Sequence, residues 1–214
     1  MKTRRQRGFT MLELLAVIMV LALVAIVLFA PEPPSKARTA RIVCFNNLKQ
    51  VGQAFWFWSI DNNGRFPMQV AASSGNPLEV INAGHIAPTF ITLSNQLNTP
   101  KVLLCPADLK RKAGTDFLKA FDETNISYFV GLDAAQTAPN MFLTGDDNIE
   151  LNGKLIGRGR SDITTNSVVS WSDERHKKQG NVGLADGSVQ GFSTTALRTA
   201  IQNTGTNVIR VAFP

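Results

Sequence analysis

The 214-residue chain is 44% hydrophobic, 18% charged and 8% aromatic, with 16 glycines and 10 prolines. This composition excludes a disordered chain, a collagen and a polytopic membrane protein. The formal net charge of +6 suggests nucleic acid or anionic lipid as a partner, unless the basic residues are concentrated in one segment.

The N-terminal region contains an apolar stretch, residues 9–30, whose only charged side chain is Glu13. As a helix, these 22 residues would extend about 33 Å, enough to cross a hydrocarbon core of about 30 Å. The basic residues that precede the stretch are Lys2, Arg4, Arg5 and Arg7. Because no acidic residue accompanies them, the sequence predicts a membrane helix with its N-terminus in the cytoplasm.

Three interpretations of this stretch compete. A secretory signal would be cut after its apolar core at a site with small residues, but here the core runs into Ala30 and Pro31. A plain signal anchor explains the apolar stretch and the basic flank. It does not explain Glu13, because a carboxylate in the membrane costs about 2.5–3.5 kcal/mol on insertion scales. The third interpretation depends on the residues around Glu13.

The apolar stretch begins within the run RGFTMLELL, residues 7–15. This run resembles the class III signal of type IV pilins and type II secretion pseudopilins. The resemblance implies that a prepilin peptidase cuts between Gly8 and Phe9, that Phe9 becomes the N-methylated terminus, and that Glu13 becomes the fifth residue of the mature chain. Glu13 could then neutralise the Phe9 ammonium of a neighbouring subunit, since a buried ion pair costs less than a lone buried charge. The plainer alternative is a solitary Glu13 that snorkels to the membrane surface.

Removal of the leader changes the meaning of the net charge. Four of the 22 basic residues lie in residues 1–8, so the mature chain would keep 18 basic against 16 acidic side chains, a net of +2. The charge therefore no longer implies a nucleic acid partner.

A second helix is predicted beyond the proline-rich break at residues 31–34. Within residues 35–60, apolar residues recur at intervals of three and four, which would place them in a stripe along one face of a helix. Arg41 is the only charged residue in that stripe. The stripe consists of Ala37, Arg41, Cys44, Leu48, Val51, Phe55 and Trp58. The run from Asp61 to Gly64 is expected to end the helix.

The remaining chain favours short strands between turns. The candidate strands are Val102–Leu104, Ile126–Leu132, Met141–Thr144, Lys154–Ile156, Val168–Trp171, Val182–Ala185 and Val189–Phe192. Asp186 and Gly187 separate the last two strands, which predicts a hairpin turn, and Thr195–Asn203 favours a short helix.

The predicted fold class is α+β, with a long N-terminal helix packed on a small antiparallel β-sheet head. The first half of that helix is expected to span the membrane and the second half to be amphipathic. The predicted parts are a cleaved leader (1–8), a transmembrane helix (9–30), a proline-rich break (31–34), an amphipathic helix (35–60) and a β-rich head (61–214).

A second resemblance involves the head. The segments Cys44–Gly52, Gly64–Pro67 and Leu104–Asp108 are similar to those of pilin-like proteins typical of Planctomycetes and Verrucomicrobia. The C-terminal signature of that group, H-x9-DG, corresponds here to His176 followed by Asp186 and Gly187.

Two roles are open for this H-x9-DG motif. His176 could converge with Asp173, Glu174 and Asp186 on a cation, as acidic C-terminal loops of secretion pseudopilins often bind Ca²⁺. Histidine is a poor calcium ligand, however, and Ca²⁺ takes six to eight oxygens. Alternatively, Asp186 and Gly187 form only a hairpin turn, and a hydrogen bond from His176 ties down the preceding loop.

Other chemistry finds little support in the sequence. Cys44 and Cys105 lack C-x-x-C spacing, so neither a zinc site nor a redox dithiol is indicated; the two could pair as a disulfide or stay buried thiols. Asp146 and Asp147 lack the rest of a calcium loop and favour a turn. We expect no catalytic residues and no cofactor other than a candidate Ca²⁺.

The predicted function is a structural prepilin or pseudopilin subunit, assembled through its N-terminal helix into a type II secretion pseudopilus or type IV pilus-like filament. The alternative is a membrane-anchored exported binding protein that forms no filament. The implied partners are a prepilin peptidase, inner-membrane lipid and other pilin-like subunits. The N-terminus would be cytoplasmic and the head periplasmic.

Overall fold

The computed structural model describes residues 10–28, 36–70, 81 and 84–214. The chain divides into two compact units, residues 1–35 and 36–214. The predicted cleavage site between Gly8 and Phe9 and the proline-rich break at 31–34 lie outside the described residues.

The first unit contains helix α1, Met11–Leu28. Thr10 and Glu13 form a reciprocal cap at its start: the amide and hydroxyl of Thr10 donate to Glu13 Oε2 at 2.9 and 3.0 Å, and the Glu13 amide donates to Thr10 Oγ1 at 3.3 Å. This is a capping box, which satisfies backbone donors at the helix N-terminus. All large apolar side chains of residues 11–24 are exposed. No helix built from described residues is long and apolar enough to cross a membrane.

The second unit begins with helix α2, Lys36–Ile60. Its buried residues follow the predicted stripe only from Cys44 onward, and they are Cys44, Leu48, Val51, Gly52, Ala54, Phe55 and Ser59. The helix ends where predicted, because Asn63 and Gly64 adopt φ angles of 55° and 74° and the Gly64 amide donates to the Ser59 carbonyl at 2.9 Å. A left-handed residue with this backbone bond is a common helix terminator.

Nine strands form two antiparallel sheets in the described part of the second unit. They are β1 Tyr128–Gly131, β2 Phe142–Asp146, β3 Ile149–Leu151, β4 Lys154–Leu155, β5 Gly159–Thr164, β6 Val169–Trp171, β7 Gln179–Leu184, β8 Val189–Ser193 and β9 Val208–Phe213. The larger sheet has the order β5-β9-β1-β2-β7-β8, and the smaller has the order β4-β3-β6.

Short helices complete this unit. The α-helices are α3 Ala87–Thr92, α4 Ser94–Leu97 and α5 Thr194–Gln202, and the 3₁₀ helices are Pro67–Gln69, Pro100–Leu103 and Glu123–Asn125. The α5 helix confirms the helix predicted over Thr195–Asn203, and the Ser193 side chain caps it by accepting from the Ala196 amide at 3.2 Å.

The predicted α+β class is confirmed: α2 packs against β2, β7 and β8 of the larger sheet. Phe55 links the helix to the core through edge-to-face contacts with Phe66 and Phe90, at centroid distances of 6.0 and 6.2 Å. Such aromatic pairs are worth about 0.5–1.5 kcal/mol beyond their buried area.

One predicted strand is wrong. Val102–Leu104 falls largely in the 3₁₀ helix Pro100–Leu103, because Pro100 at its start fixes a helical φ and the Thr99 side chain accepts from the Lys101 amide. Three strands, β3, β5 and β9, were not predicted. The other six predicted strands match β1, β2, β4, β6, β7 and β8.

Candidate functional site

Four side chains with metal-binding atoms meet inside the second unit. Cys44, Cys105, Asp146 and His176 each contribute one ligand atom, and these atoms all lie within 4.8 Å of one another. Each residue comes from a different part of the fold. Cys44 lies on α2, Cys105 follows the 3₁₀ helix Pro100–Leu103, Asp146 ends β2 and His176 lies in the loop between β6 and β7.

The individual contacts are short and specific. The Cys44 thiol donates to Asp146 Oδ1 at 2.9 Å. Cys105 Sγ lies 3.2 Å from His176 Nε2, and the same ring nitrogen lies 3.7 Å from Asp146 Oδ2. We call these four residues the thiol–carboxylate–imidazole cluster.

Neighbouring groups fix two members of the cluster. Asp146 Oδ2 accepts from the backbone amide and the side-chain amide of Asn181, at 2.7 and 3.0 Å. The hydroxyl of Tyr128, the only tyrosine in the chain, lies 3.4 Å from Cys44 Sγ. A buried hydroxyl or carboxylate needs such partners because each one left unpaired costs about 1–3 kcal/mol.

The backbone at His176 is held in an unusual conformation. His176, Lys177 and Lys178 have φ angles of 53°, 53° and 58°. Left-handed conformation costs roughly 1–2 kcal/mol per residue for side chains other than glycine. Three such residues in succession persist only where the surroundings stabilise them, and backbone strain of this kind concentrates at functional sites.

The cluster is closed to solvent. Both cysteines and Tyr128 are 0% exposed, and the side chains of Asp146 and His176 are 0% and 1% exposed. Burial of this kind suits a small ion that is held from all sides, whereas a substrate would require these side chains to be exposed.

The pKa values of the cluster reflect burial and mutual contact. Burial raises the pKa of the Cys44 thiol well above its usual value, and Cys105 and Asp146 act in the same direction. The contact with Cys44, followed by the contact with His176, lowers the pKa of Cys105 to about 6 against the opposing effect of burial. Burial alone would lower the pKa of His176, but its contacts with Cys105 and Asp146 raise the net value. The contact between Cys105 and His176 therefore lowers the pKa of the thiol and raises the pKa of the imidazole.

This arrangement does not have the geometry of a cysteine nucleophile. In a thiol–imidazole–carboxylate triad, the thiol and the carboxylate contact opposite ring nitrogens. Here both Cys105 and Asp146 face Nε2, and Nδ1 of His176 is buried without a hydrogen-bond partner in the described part of the chain. The side chains converge on one point instead of forming a relay.

A buried ion network lies next to the cluster. Asp108 accepts from Ser127 Oγ at 2.8 Å and from Arg111 Nη1 at 3.0 Å, and lies 3.5 Å from Arg175 Nη1. Asp147 pairs with Arg175 and, at 2.6 Å, with Arg111. Both carboxylates thus have cationic partners, as buried charges require.

The network and the cluster use the same chain segments. Asp147 and Arg175 are the immediate neighbours of Asp146 and His176 in the sequence. Asp108 lies three residues after Cys105 in the sequence, and its amide donates to the Cys105 carbonyl at 2.8 Å. The ion network consequently anchors three of the four segments that supply the cluster.

The predicted hairpin turn is confirmed. Asp186 and Gly187 connect β7 to β8, Asp186 Oδ1 accepts from the Ser188 amide at 2.8 Å, and Gly187 has a φ angle of 84°. The turn packs on α2, where Trp56 Nε1 donates to the Ala185 carbonyl at 3.1 Å. A Cβ at Gly187 would lie only 3.2 Å from that indole nitrogen.

The other predicted site residues are not brought together. Asp173, Glu174 and Asp186 are exposed, and Glu174 pairs with Lys110 at 2.5 Å. Within the described ranges, they join no group of three or more His, Cys, Asp or Glu ligands. A calcium site at these carboxylates stays a prediction.

The two cysteines are free and buried in the structure. The sequence leaves a disulfide and two buried thiols open as alternatives, and the two sulfur atoms lie within 4.8 Å of each other in the cluster. Sequence spacing missed this proximity because Cys44 and Asp146 are 102 residues apart and Cys105 and His176 are 71 residues apart. Of the pair expected to form a turn, Asp146 is the last residue of β2, and Asp147 lies in the short bend that leads to β3.

Comparison with known families gives one match. Residues 3–29 match the prokaryotic N-terminal methylation motif. No curated protein and no solved structure shows significant similarity to the chain. The motif indicates a pilin- or pseudopilin-type subunit, which a prepilin peptidase processes and which associates with pilin-like subunits.

Proposed function

We propose that the chain is a structural prepilin or pseudopilin that a prepilin peptidase cleaves between Gly8 and Phe9. The mature subunit then assembles through its N-terminal helix into a type II secretion pseudopilus or a type IV pilus-like filament. The methylation motif over residues 3–29 is the observation that carries this proposal. It contains Gly8, Phe9 and Glu13 in the register described above.

Charge pairing at the helix start gives the assembly its specificity. Cleavage creates an ammonium group at Phe9, directly before the Thr10 cap of α1. Glu13 Oε2 caps its own helix, and a carboxylate has a second acceptor oxygen that can pair with the Phe9 ammonium of a neighbouring subunit. Pairing in an apolar environment lowers the cost of both charges and sets the stagger between adjacent helices.

The exposed apolar side chains of α1 support the same proposal. Leu12, Leu15 and Met19 are 79%, 62% and 62% exposed. An apolar surface of this extent marks a contact with lipid or with other protein. We infer that inner-membrane lipid covers it before assembly and neighbouring subunits cover it afterwards, with the N-terminus cytoplasmic and the head periplasmic.

The proposal is tested by Glu13→Leu in cells that carry a prepilin peptidase and an assembly machinery. The variant should be inserted and cleaved but should lose filament assembly, scored by shearing and chemical cross-linking of surface or periplasmic fractions. Glu32→Leu is the matched control, because it removes an equal charge beyond the apolar stretch and should leave assembly intact.

Retained assembly of Glu13→Leu would contradict the pairing mechanism. A wild-type chain that is cleaved at Gly8 but gives no cross-linked polymer would instead favour the alternative, a membrane-anchored binding protein that forms no filament.

A further inference from the structure

We propose that Cys44, Cys105, Asp146 and His176 form a closed, tetrahedral site for one structural Zn²⁺ ion in the head. The proposal is independent of filament assembly, since it concerns the second unit alone. It assigns a role to the buried thiols and to His176 of the H-x9-DG motif.

The ligand set suits zinc. Two sulfurs, one imidazole nitrogen and one carboxylate oxygen are the atom types that Zn²⁺ binds, and four ligands complete a structural zinc site. Calcium and magnesium prefer six or more oxygen ligands, and this cluster offers a single carboxylate. The donor set therefore selects a borderline-soft transition metal.

The spacing of the ligand atoms also suits zinc. Zn–S bonds of about 2.3 Å and Zn–N or Zn–O bonds of about 2.0–2.2 Å place the corners of a tetrahedron about 3.3–3.8 Å apart. The observed separations are 2.9 Å for Cys44 Sγ to Asp146 Oδ1, 3.2 Å for Cys105 Sγ to His176 Nε2 and 3.7 Å for His176 Nε2 to Asp146 Oδ2. Small outward movements of the side chains would make room for the ion.

The surroundings orient the ligands as they do in metal sites. Asn181 holds Asp146 through two hydrogen bonds, and Tyr128 can donate to Cys44. Outer contacts of this kind fix ligand direction and raise metal affinity. His176 has a left-handed backbone, and its Nε2 faces the Cys105 sulfur and the Asp146 carboxylate together.

Zinc binding offsets most of the negative charge of the ionised cluster, because two thiolates and one carboxylate against the 2+ ion leave a single net negative charge. The two thiols, and the imidazole when protonated, release their protons to solvent as they bind the ion. Two thiolates and one carboxylate then face the 2+ charge of the metal. The ion replaces the hydrogen bonds that otherwise connect these groups, and it ties α2, the Cys105 segment, β2 and the β6–β7 loop to one point.

The test uses the full chain, purified in mild detergent under reducing conditions. Elemental analysis should give one zinc ion per chain. After removal of the zinc with a chelator, Co²⁺ should produce the strong visible bands of a tetrahedral site and a thiolate-to-cobalt charge-transfer band in the near ultraviolet. The chelated protein should also unfold at a lower temperature than the zinc-loaded protein.

The two histidines of the chain provide a matched pair of variants. His176→Gln should lose stoichiometric zinc and the tetrahedral cobalt spectrum. His85→Gln should keep both, because the His85 side chain is 55% exposed and contacts Arg158 and Glu123 away from the cluster. Circular dichroism shows whether each variant is folded.

A milder variant keeps the test valid if His176→Gln fails to fold. Tyr128→Phe retains the ring and removes only the hydroxyl beside Cys44, and it should weaken zinc binding about tenfold. Wild-type protein without zinc, a cobalt spectrum of an octahedral site without thiolate, or full zinc retention by folded His176→Gln would each overturn the proposal.

Discussion

The two units of this protein handle polar and apolar groups in opposite ways. Helix α1 exposes its apolar side chains and has Glu13 as its single charged residue. The head buries Asp146, Asp147 and Arg175 among hydrogen bonds and ion pairs. The contrast teaches that α1 leaves its apolar side chains exposed, whereas the buried charged groups of the head find partners within the head.

A pair of Leu→Ala substitutions gives the largest expected contrast between the units. Leu48 is 0% exposed on α2, and Leu12 is 79% exposed on α1. Leu48→Ala should lower the free energy of unfolding of the head by about 2–5 kcal/mol, because it leaves a cavity in the core. Leu12→Ala should change it by no more than about 0.5 kcal/mol. Urea unfolding of the full chain in detergent, followed by tryptophan fluorescence, measures both.

Equal effects of the two substitutions would contradict the comparison. A loss at Leu12 as large as at Leu48 would mean that the head depends on α1 for its folding. In that case the two units could not be treated as separate sources of stability.

Acid should affect the head through Asp108. Burial raises the pKa of this carboxyl, but the charge of Arg175, the hydrogen bond from Ser127 and the contacts with Lys110 and Arg111 lower the net value below 3.8. Because the folded-state pKa is the lower one, this stabilisation is complete above pH 3.8 and is lost as the pH falls through the folded-state pKa.

The matched variant is Asp108→Asn, which cannot titrate. Its free energy of unfolding should fall less steeply than that of the wild type as the pH is lowered from neutral to below 3.8. Parallel pH profiles for the two proteins would show that the network does not depend on the Asp108 charge. The pH effect is expected to be smaller than that of Leu48→Ala, because protonation of Asp108 leaves no cavity in the core.

The sequence could predict those features that depend on neighbouring residues. The methylation motif occupies one continuous segment, so residues 7–15 alone suggest it, and residues 3–29 match it. The hairpin at Asp186 and Gly187 and the end of α2 at Gly64 are equally local, since each depends on a residue that tolerates positive φ.

Features that depend on distant contacts were missed. The strand β5, Gly159–Thr164, is an edge strand with several polar residues, and its formation depends on pairing with β9. For β9, Val208–Phe213, the β-branched residues Val208, Ile209 and Val211 were a usable signal. No local signal exists for the thiol–carboxylate–imidazole cluster, because α2 and three separate segments of the head must fold together to form it.

The proposed function is tested most directly by the N-terminus of the mature chain. The protein should be isolated from cells with a prepilin peptidase and analysed by intact-mass and N-terminal peptide mass spectrometry. We predict a chain that lacks residues 1–8 and begins with N-methylated Phe9. A chain that begins at Met1, or at Pro31 after removal of the whole apolar stretch, would contradict the proposal.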